Sequence, residues 1–445
     1  MQTINKSLLI AGFLIAFSGF TVQAQNKTWT LQECINYALS KNIQIQKADL
    51  SNDRNQLYSN QAEANRLPSV NASVRENLNW YKGFDSSTGT YGSSSGSNST
   101  SYSLSSSVVL FNGQKLTNRI KQAGLDLESS IYYSESVKES VGLNILNAYL
   151  QVLYAIENVS NAEKQIESTT EQLALAKERM DLGVISMSDY LQIKSELASE
   201  KSTLASAQSQ LSINKVTLMQ LMDLPVNPNF AISSPNLDSL LIESDQPDAQ
   251  EIYNLALGIK PEIKNAELTK ESAMLDVQIA KADYLPSLSM DAGLSSGYSS
   301  LTTGSGYTSQ LKDKINPAVG LSLSIPIFQK KQIKTNVALA NISVSDAELD
   351  ETNTKNQLRK VIEQACVDVV SAKTQYAASL EQNQSSQESY DVVTEKYRLG
   401  LLNSVDFLVQ KTNLIASESK LLQSKFNVIF SYKILDFYKG IPLTL

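Results

Sequence analysis

Arg179-Met180-Asp181-Leu182-Gly183-Val184-Ile185-Ser186-Met187-Ser188-Asp189-Tyr190-Leu191 returns 217 positions later as Lys396-Tyr397-Arg398-Leu399-Gly400-Leu401-Leu402-Asn403-Ser404-Val405-Asp406-Phe407-Leu408. Both stretches carry Leu-Gly, then an aspartate six residues on, then an aromatic residue and a leucine. Glycine takes positive φ without strain, so a helix can end and the chain can turn at Gly183 and at Gly400. Ser186 with Asp189, and Asn403 with Asp406, have the spacing of a capping box, in which the acid complements the positive end of the helix that follows. Each stretch reads as a tip, at 183–188 and 400–405, between two helices.

Upstream of the first tip, positions 115–182 are 68 residues without a proline. Val141, Ile145, Ala148, Val152, Ile156 and Val159 fall at three-to-four spacing on one stripe of this helix. Its copy is expected over 330–399. At 1.5 Å rise per residue each spans roughly 100 Å, several times a typical globular helix. Shorter helices are expected at 30–66, with a kink at Asn42, at 186–222 and at 404–438. The pieces 30–66 and 186–222 sum to 74 residues, or roughly 110 Å end to end. Each half therefore offers two tracks of equal length, one continuous and one in two pieces, with seams suited to lateral packing.

Two alternating stretches precede each long helix. Val70, Ala72, Val74, Leu78 and Trp80 alternate with Ser69, Asn71, Ser73, Arg75, Asn77 and Asn79, and only Glu76 interrupts the apolar face. Tyr102, Leu104, Val108 and Leu110 repeat the pattern, as do Leu288, Met290, Ala292 and Leu294, then Val319, Leu321, Leu323, Ile325 and Ile327. Strands are expected at 68–80, 101–111, 286–298 and 317–328, joined in pairs by polar loops at 83–101 and 297–314. Alternating strands of this length with aromatics near their ends are the weak sequence signature of a membrane β-barrel, and soluble β-sandwiches show similar alternation. On that reading Val70, Val74, Leu104, Leu288, Leu321 and Leu323 face lipid.

The chain is written twice. Leu110-Phe111 returns as Ile327-Phe328 and Leu224-Pro225 as Ile441-Pro442 at the same displacement of 217, while Leu67-Pro68 returns as Leu285-Pro286 at 218. A first repeat at 25–222 and a second at 249–445 flank a linker at 223–248 that is rich in Pro, Asn, Ser and Asp. Each repeat has the order helix, strand, strand, long helix, short helix. Ahead of them, Lys6, the apolar run 8–20 and Val22-Gln23-Ala24 have the charge, core and small-residue order of a signal peptide at 1–24. Gln25 then offers no thiol for a lipid anchor.

The 445 residues contain no histidine and only two cysteines, Cys34 and Cys366. The commonest general base and metal ligand is therefore missing, and no four-ligand zinc site of cysteine and histidine can be built. No glycine-rich phosphate loop and no nucleophile constellation is present, so no catalytic residue, metal or cofactor is assigned. The two cysteines are either a disulfide of an exported protein or two small buried hydrophobes. A net charge of −7 without a basic cluster argues against nucleic acid.

Four strands cannot close a barrel, since the smallest membrane barrels need about eight, and open edges in lipid leave costly unpaired backbone groups. Copies must assemble. Two copies give eight strands and eight helical tracks, and three give twelve of each; twelve helices at about 10 Å spacing enclose a bore of roughly 25 to 30 Å, eight about half that, so a trimer gives the wider duct.

This duplicated order of strands and very long helices resembles the TolC family of outer-membrane efflux channels over nearly the whole mature chain, and the two Leu-Gly stretches are similar to that family's periplasmic tip. The resemblance implies a mainly α protein with membrane β structure, a homotrimer whose 12-stranded β-barrel continues into a 12-helix α-barrel. It implies an outer-membrane location with the helices in the periplasm, docking to a periplasmic adaptor, and an energy-supplying inner-membrane pump of RND or ABC type. Leu182, Val184, Leu399 and Leu401, with Gly183 and Gly400, are the expected docking surface. Asp189 and Asp406 are the expected gate residues, with three copies of Asp406 forming a cation-favouring ring. The family often places a second carboxylate one turn later, where this chain has Val409, and Leu401 and Leu402 stand where some members carry polar latch residues. That departure favours an apolar constriction, or helix packing released by the adaptor, over gating by ion pairs. An adaptor, with one hairpin flanked by small β domains, and a secreted structural coiled coil are the competing readings.

Overall fold

The computed structural model describes residues 28–235 and 247–445. The expected signal peptide and the middle of the expected linker lie outside the described residues. In the first half β1 (Thr28–Trp29), α1 (Leu31–Lys41) and α2 (Ile43–Ala64) precede β2 (Ser69–Tyr81), the hairpin of β3 (Phe84–Asp85) and β4 (Thr90–Tyr91), and β5 (Ser95–Phe111). α3 (Lys115–Asp181), α4 (Met187–Leu221) and β6 (Ala231–Ile232) follow. The second half holds α5 (Ala249–Ile259), α6 (Pro261–Ala282), β7 (Ser287–Ser299), α7 (Tyr307–Asp313), β8 (Asn316–Ser324), α8 (Gln332–Arg398) and α9 (Ser404–Tyr438). Helices of 11, 22, 67 and 35 residues recur in that order in both halves. The duplication is therefore present in the backbone as well as in the words of the sequence.

The chain divides into two compact units. One comprises residues 44–138 and 249–363 and holds a four-stranded antiparallel sheet of order β2-β5-β7-β8. Residues opposite each other in such a ladder point to the same side. Ala72, Leu104 and Leu294 form one row, and Leu288 lies opposite Leu323. Val70, Val74, Leu104, Leu288, Leu321 and Leu323 consequently all fall on one face. Ser69, Asn71, Ser73, Ser103, Ser105, Ser289 and Ser322 line the other, with the hydroxyls of Ser73 and Ser103 2.8 Å apart. Glu76, the interruption of the apolar face, accepts a 2.5 Å hydrogen bond from Thr100 Oγ1.

The strand ends differ from the sequence reading. β5 begins at Ser95 rather than 101, because β2 runs to Tyr81 and its backbone groups take Ser95 to Thr100 as partners. β8 stops at Ser324 rather than 328, two residues short of Pro326, which has no N–H to give a ladder. Both loops contain structure, the first the β3–β4 hairpin and the second α7. β7 outruns β8, and the buried Gln310 of α7 replaces the missing strand: its Nε2 donates to Ser299 O at 3.1 Å and its Oε1 accepts from Ser299 N at 3.0 Å. In this unit Pro261 opens α6, with Lys260 as the extended residue between α5 and α6. The sequence reading marks no break there, although a proline at the first helical position is its signal.

The other unit comprises the chain up to Ile43 with residues 139–248 and 364–445. Val141, Ile145, Ala148 and Val152 of the expected stripe are buried, and Ile156 and Val159 are partly so. α1 ends at Asn42, where the kink was expected, and distant contacts fix the break: Asn42 Nδ2 donates to Leu221 O at 2.9 Å and Ile43 N to Asp223 Oδ2 at 2.8 Å. β1 and β6 pair in parallel, and the hydroxyl of Tyr149 lies 2.6 Å from Ser233 O and 3.1 Å from Trp29 O. Burial holds that phenol well above its ordinary pKa. Cys34 and Cys366 are buried thiols. Among the described residues no helix is long and apolar enough to cross a membrane.

Candidate functional site at the two tips

Both tips close with the same hydrogen bonds. Val184 N donates to Arg179 O at 2.8 Å and Gly183 N to Met180 O at 2.9 Å; Leu401 N donates to Lys396 O at 2.9 Å and Gly400 N to Tyr397 O at 3.0 Å. This is the Schellman pattern, and the glycines hold the positive φ it needs, +71° at Gly183 and +74° at Gly400. The next helices start differently. Ser186 and Asp189 make a complete capping box. At the second tip Asn403 Oδ1 accepts from Asp406 N at 2.8 Å, but the return bond to the Asp406 carboxylate comes from Asn403 Nδ2 at 3.0 Å, not from its backbone. Asparagine carries its own donor, so the expected box there is half made.

The tips are joined. Ser404, the buried first residue of α9, donates from Oγ to Asp189 Oδ1, and Gln192 Oε1 lies 3.0 Å from the same hydroxyl. The bonds from Ser404 and then Ser186 hold the Asp189 carboxyl below the usual carboxylate range. Arg179 reaches from the end of α3 to the end of α8, where its guanidinium donates to the carbonyls of Tyr397 (2.9 Å) and Arg398. A cation at the negative end of a helix is also favoured by the helix dipole. Behind these bonds Ala176, Ile193, Tyr397 and Phe407 are buried together, with the Tyr397 and Phe407 rings stacked at 4.8 Å. Deeper still, Lys411 Nζ of α9 sits 2.7 Å from Glu200 Oε1 of α4, both side chains nearly inaccessible, and bonds Thr169 Oγ1 of α3.

The expected docking residues lie outside this core. Leu182, Val184, Leu399 and Leu401 are 72%, 63%, 60% and 73% exposed. Asp406 is exposed as well. Sequence reasoning missed Ser404, Arg179 and the Lys411–Glu200 pair; a basic residue in the last turn of a helix was the one available signal, and it pointed to Arg179.

The outer membrane efflux protein family model matches residues 34–223 and 252–432, one stretch in each repeat. The chain belongs to that family. As an outer membrane efflux protein it is a passive exit duct of an efflux or secretion system and not an enzyme, placed in the outer membrane with its helices on the periplasmic side. The outer membrane protein TolC of Salmonella enteritidis is 24% identical over 457 residues, covering 98% of this chain and 86% of that protein. The crystal structure of CusC superposes with a TM-score of 0.78 at 18% identity, covering 94% of this chain and 96% of that one. The CmeC outer membrane channel of Campylobacter jejuni follows at 0.77 and 20% identity, covering 94% and 86%.

Proposed function

We propose that three copies assemble so that twelve strands close a barrel in the outer membrane, twelve helical tracks enclose the periplasmic bore, and the tips dock a periplasmic adaptor that couples the duct to an RND- or ABC-type inner-membrane pump. The observation that carries the docking reading is the exposure of Leu182, Val184, Leu399 and Leu401 on two turns that are themselves rigidly tied. Exposed apolar residues on a fixed frame make a ready surface for a partner's helical hairpin. Val70, Val74, Leu104, Leu288, Leu321 and Leu323 meet lipid, and the serine-rich face lines the bore. Asp189 serves the tip as a bound cap, whereas the exposed Asp406 is the carboxylate that three copies present to the bore.

A photo-crosslinking residue at Val184 or at Leu401 in living cells tests the docking. Capture of an adaptor, identified by mass spectrometry, supports it; a proton-driven pump in the same complex assigns small-molecule efflux, and an ATP-driven one assigns peptide or protein secretion. Protein abundant in the outer membrane that captures no envelope partner at either site refutes it.

A further inference from the structure

The sheet order leaves β2 and β8 as open edges. The duplication says what each edge meets. Inside the first repeat β2 pairs β5 with Ser69 opposite Ser107, and inside the second β7 pairs β8 with Ser287 opposite Ser324. These are the same register once the first strand is displaced by 218 and the second by 217. The helices obey the same rule: Lys138 meets Asp49 at 3.3 Å, and their counterparts Lys355 and Glu267 meet at 3.8 Å. A second kind of seam joins repeat to repeat. There β5 pairs β7 with Leu104 opposite Leu294, and Asn265 Nδ2 of α6 donates to O and Oγ of Ser129 on α3 at 2.8 and 2.9 Å. One chain contains this seam once. Its second instance needs β8 and α8 of one copy against β2 and α2 of another.

Exposure marks where that instance is missing. Leu268 on α6 is 3% exposed, while its counterpart on α2, Leu50, is 64% exposed. Leu57 on α2 and Leu339, Ile342 and Leu349 on α8 are exposed too.

Resting on the trimeric reading above, we infer that β8 pairs antiparallel with β2 of the next copy in the β5–β7 register, placing Leu321 opposite Glu76 of the partner subunit, and that Asp346 on α8 forms an ion pair with Lys47 of the partner subunit. The displacement carries Leu104 to Leu321, Leu294 to Glu76, Ser129 to Asp346 and Asn265 to Lys47. The same register sets Leu323 against Val74 of the partner subunit and Val319 against Leu78 of the partner subunit. The apolar face thus continues around the seam, whereas a slip of one residue would turn it over. The two seams also differ in chemistry. The one within the chain is held at this level by neutral groups, and the one between copies by charges, both of which are exposed in the single chain. Salt therefore loosens this contact between copies while leaving the Ser129–Asn265 contact within the chain intact; the intrachain seam has its own ion pair further along, Lys115 Nζ to Asp283 Oδ1 at 2.5 Å.

In a Cys34→Ala, Cys366→Ala background, the pair Lys47→Cys with Asp346→Cys is oxidised in outer-membrane vesicles and run on a non-reducing gel. Covalent dimers and trimers are expected, with none from Lys47→Cys paired with Leu339→Cys, two turns away. A chain that is trimeric by native mass yet crosslinks only through the displaced pair overturns the register and leaves the trimer standing. A chain that is monomeric by native mass overturns the trimer itself. With the native cysteines retained, Lys47→Asp is expected to lower the trimer fraction in detergent at low salt, and Lys47→Asp with Asp346→Lys to restore it. Failure of the double reversal to restore it refutes the ion pair.

Discussion

Ser404 Oγ donates to Asp189 Oδ1, so the capping acid of the first tip is held by the first residue of the helix that follows the second. This hydrogen bond ties the two repeats together where both helical tracks reverse. Ser404→Ala should cost about 1.5 to 3 kcal/mol, the range for a hydrogen bond to a charged group. The effect should be pH-dependent. Because the folded-state pKa of Asp189 is lowered, its contribution is present above the ordinary aspartate value of about 4 and is lost as pH falls through the lower folded value. Denaturation of the solubilised protein at pH 7 and pH 3 should separate wild type from variant more widely at the higher pH than at the lower.

Arg179 and Phe407 hold the same joint by different means. Arg179→Ala removes donors from the carbonyls of Tyr397 and Arg398 and should increase protease cutting near Gly400. Phe407→Ala empties a fully buried site beside Tyr397 and should cost roughly 3 to 5 kcal/mol. Limited proteolysis followed by mass spectrometry distinguishes local opening from general loss of the fold.

The Lys411–Glu200 pair stands among three helices with little access to water. Lys411→Met leaves an unmatched carboxylate and should destabilise by roughly 3 to 5 kcal/mol. Lys411→Met with Glu200→Leu should recover much of that loss. Thermal unfolding of the two single variants and the double variant gives the coupling; additive losses would show that the pair is not a unit.

Gly183 and Gly400 have open space where a Cβ would stand, so Gly→Ala there should cost only the left-handed backbone strain, about 1 to 2 kcal/mol each. Gly113 also has positive φ, but its Cβ would come within 2.9 Å of Leu285 Cβ. Gly113→Ala should therefore be the most damaging of the three in a thermal melt.

The architecture was legible because length and repetition carried it. Helices of 67 residues and a Leu-Gly turn written twice leave few alternatives, and period-two alternation put six chosen side chains on one face of the sheet. The strand ends were less legible, since serine suits loop and strand alike; β5 takes Ser95 to Thr100 only because β2 is there to pair with them. α7 was hidden inside a polar loop, and its hold on β7 comes from one glutamine whose role depends on where β8 stops. Ser404 and Lys411 were invisible for a related reason. Their partners, Asp189 and Glu200, are more than 200 positions away in the chain, and no local pattern announces such a meeting.

The most direct test of the duct is conductance of the purified protein in a planar lipid bilayer under a KCl gradient. The account predicts discrete steps with a cation-favouring reversal potential that moves toward zero in Asp406→Asn. Steps without a cation preference, or a preference that Asp406→Asn leaves unchanged, would contradict it, because the three Asp406 carboxylates would then not face the path of the ions.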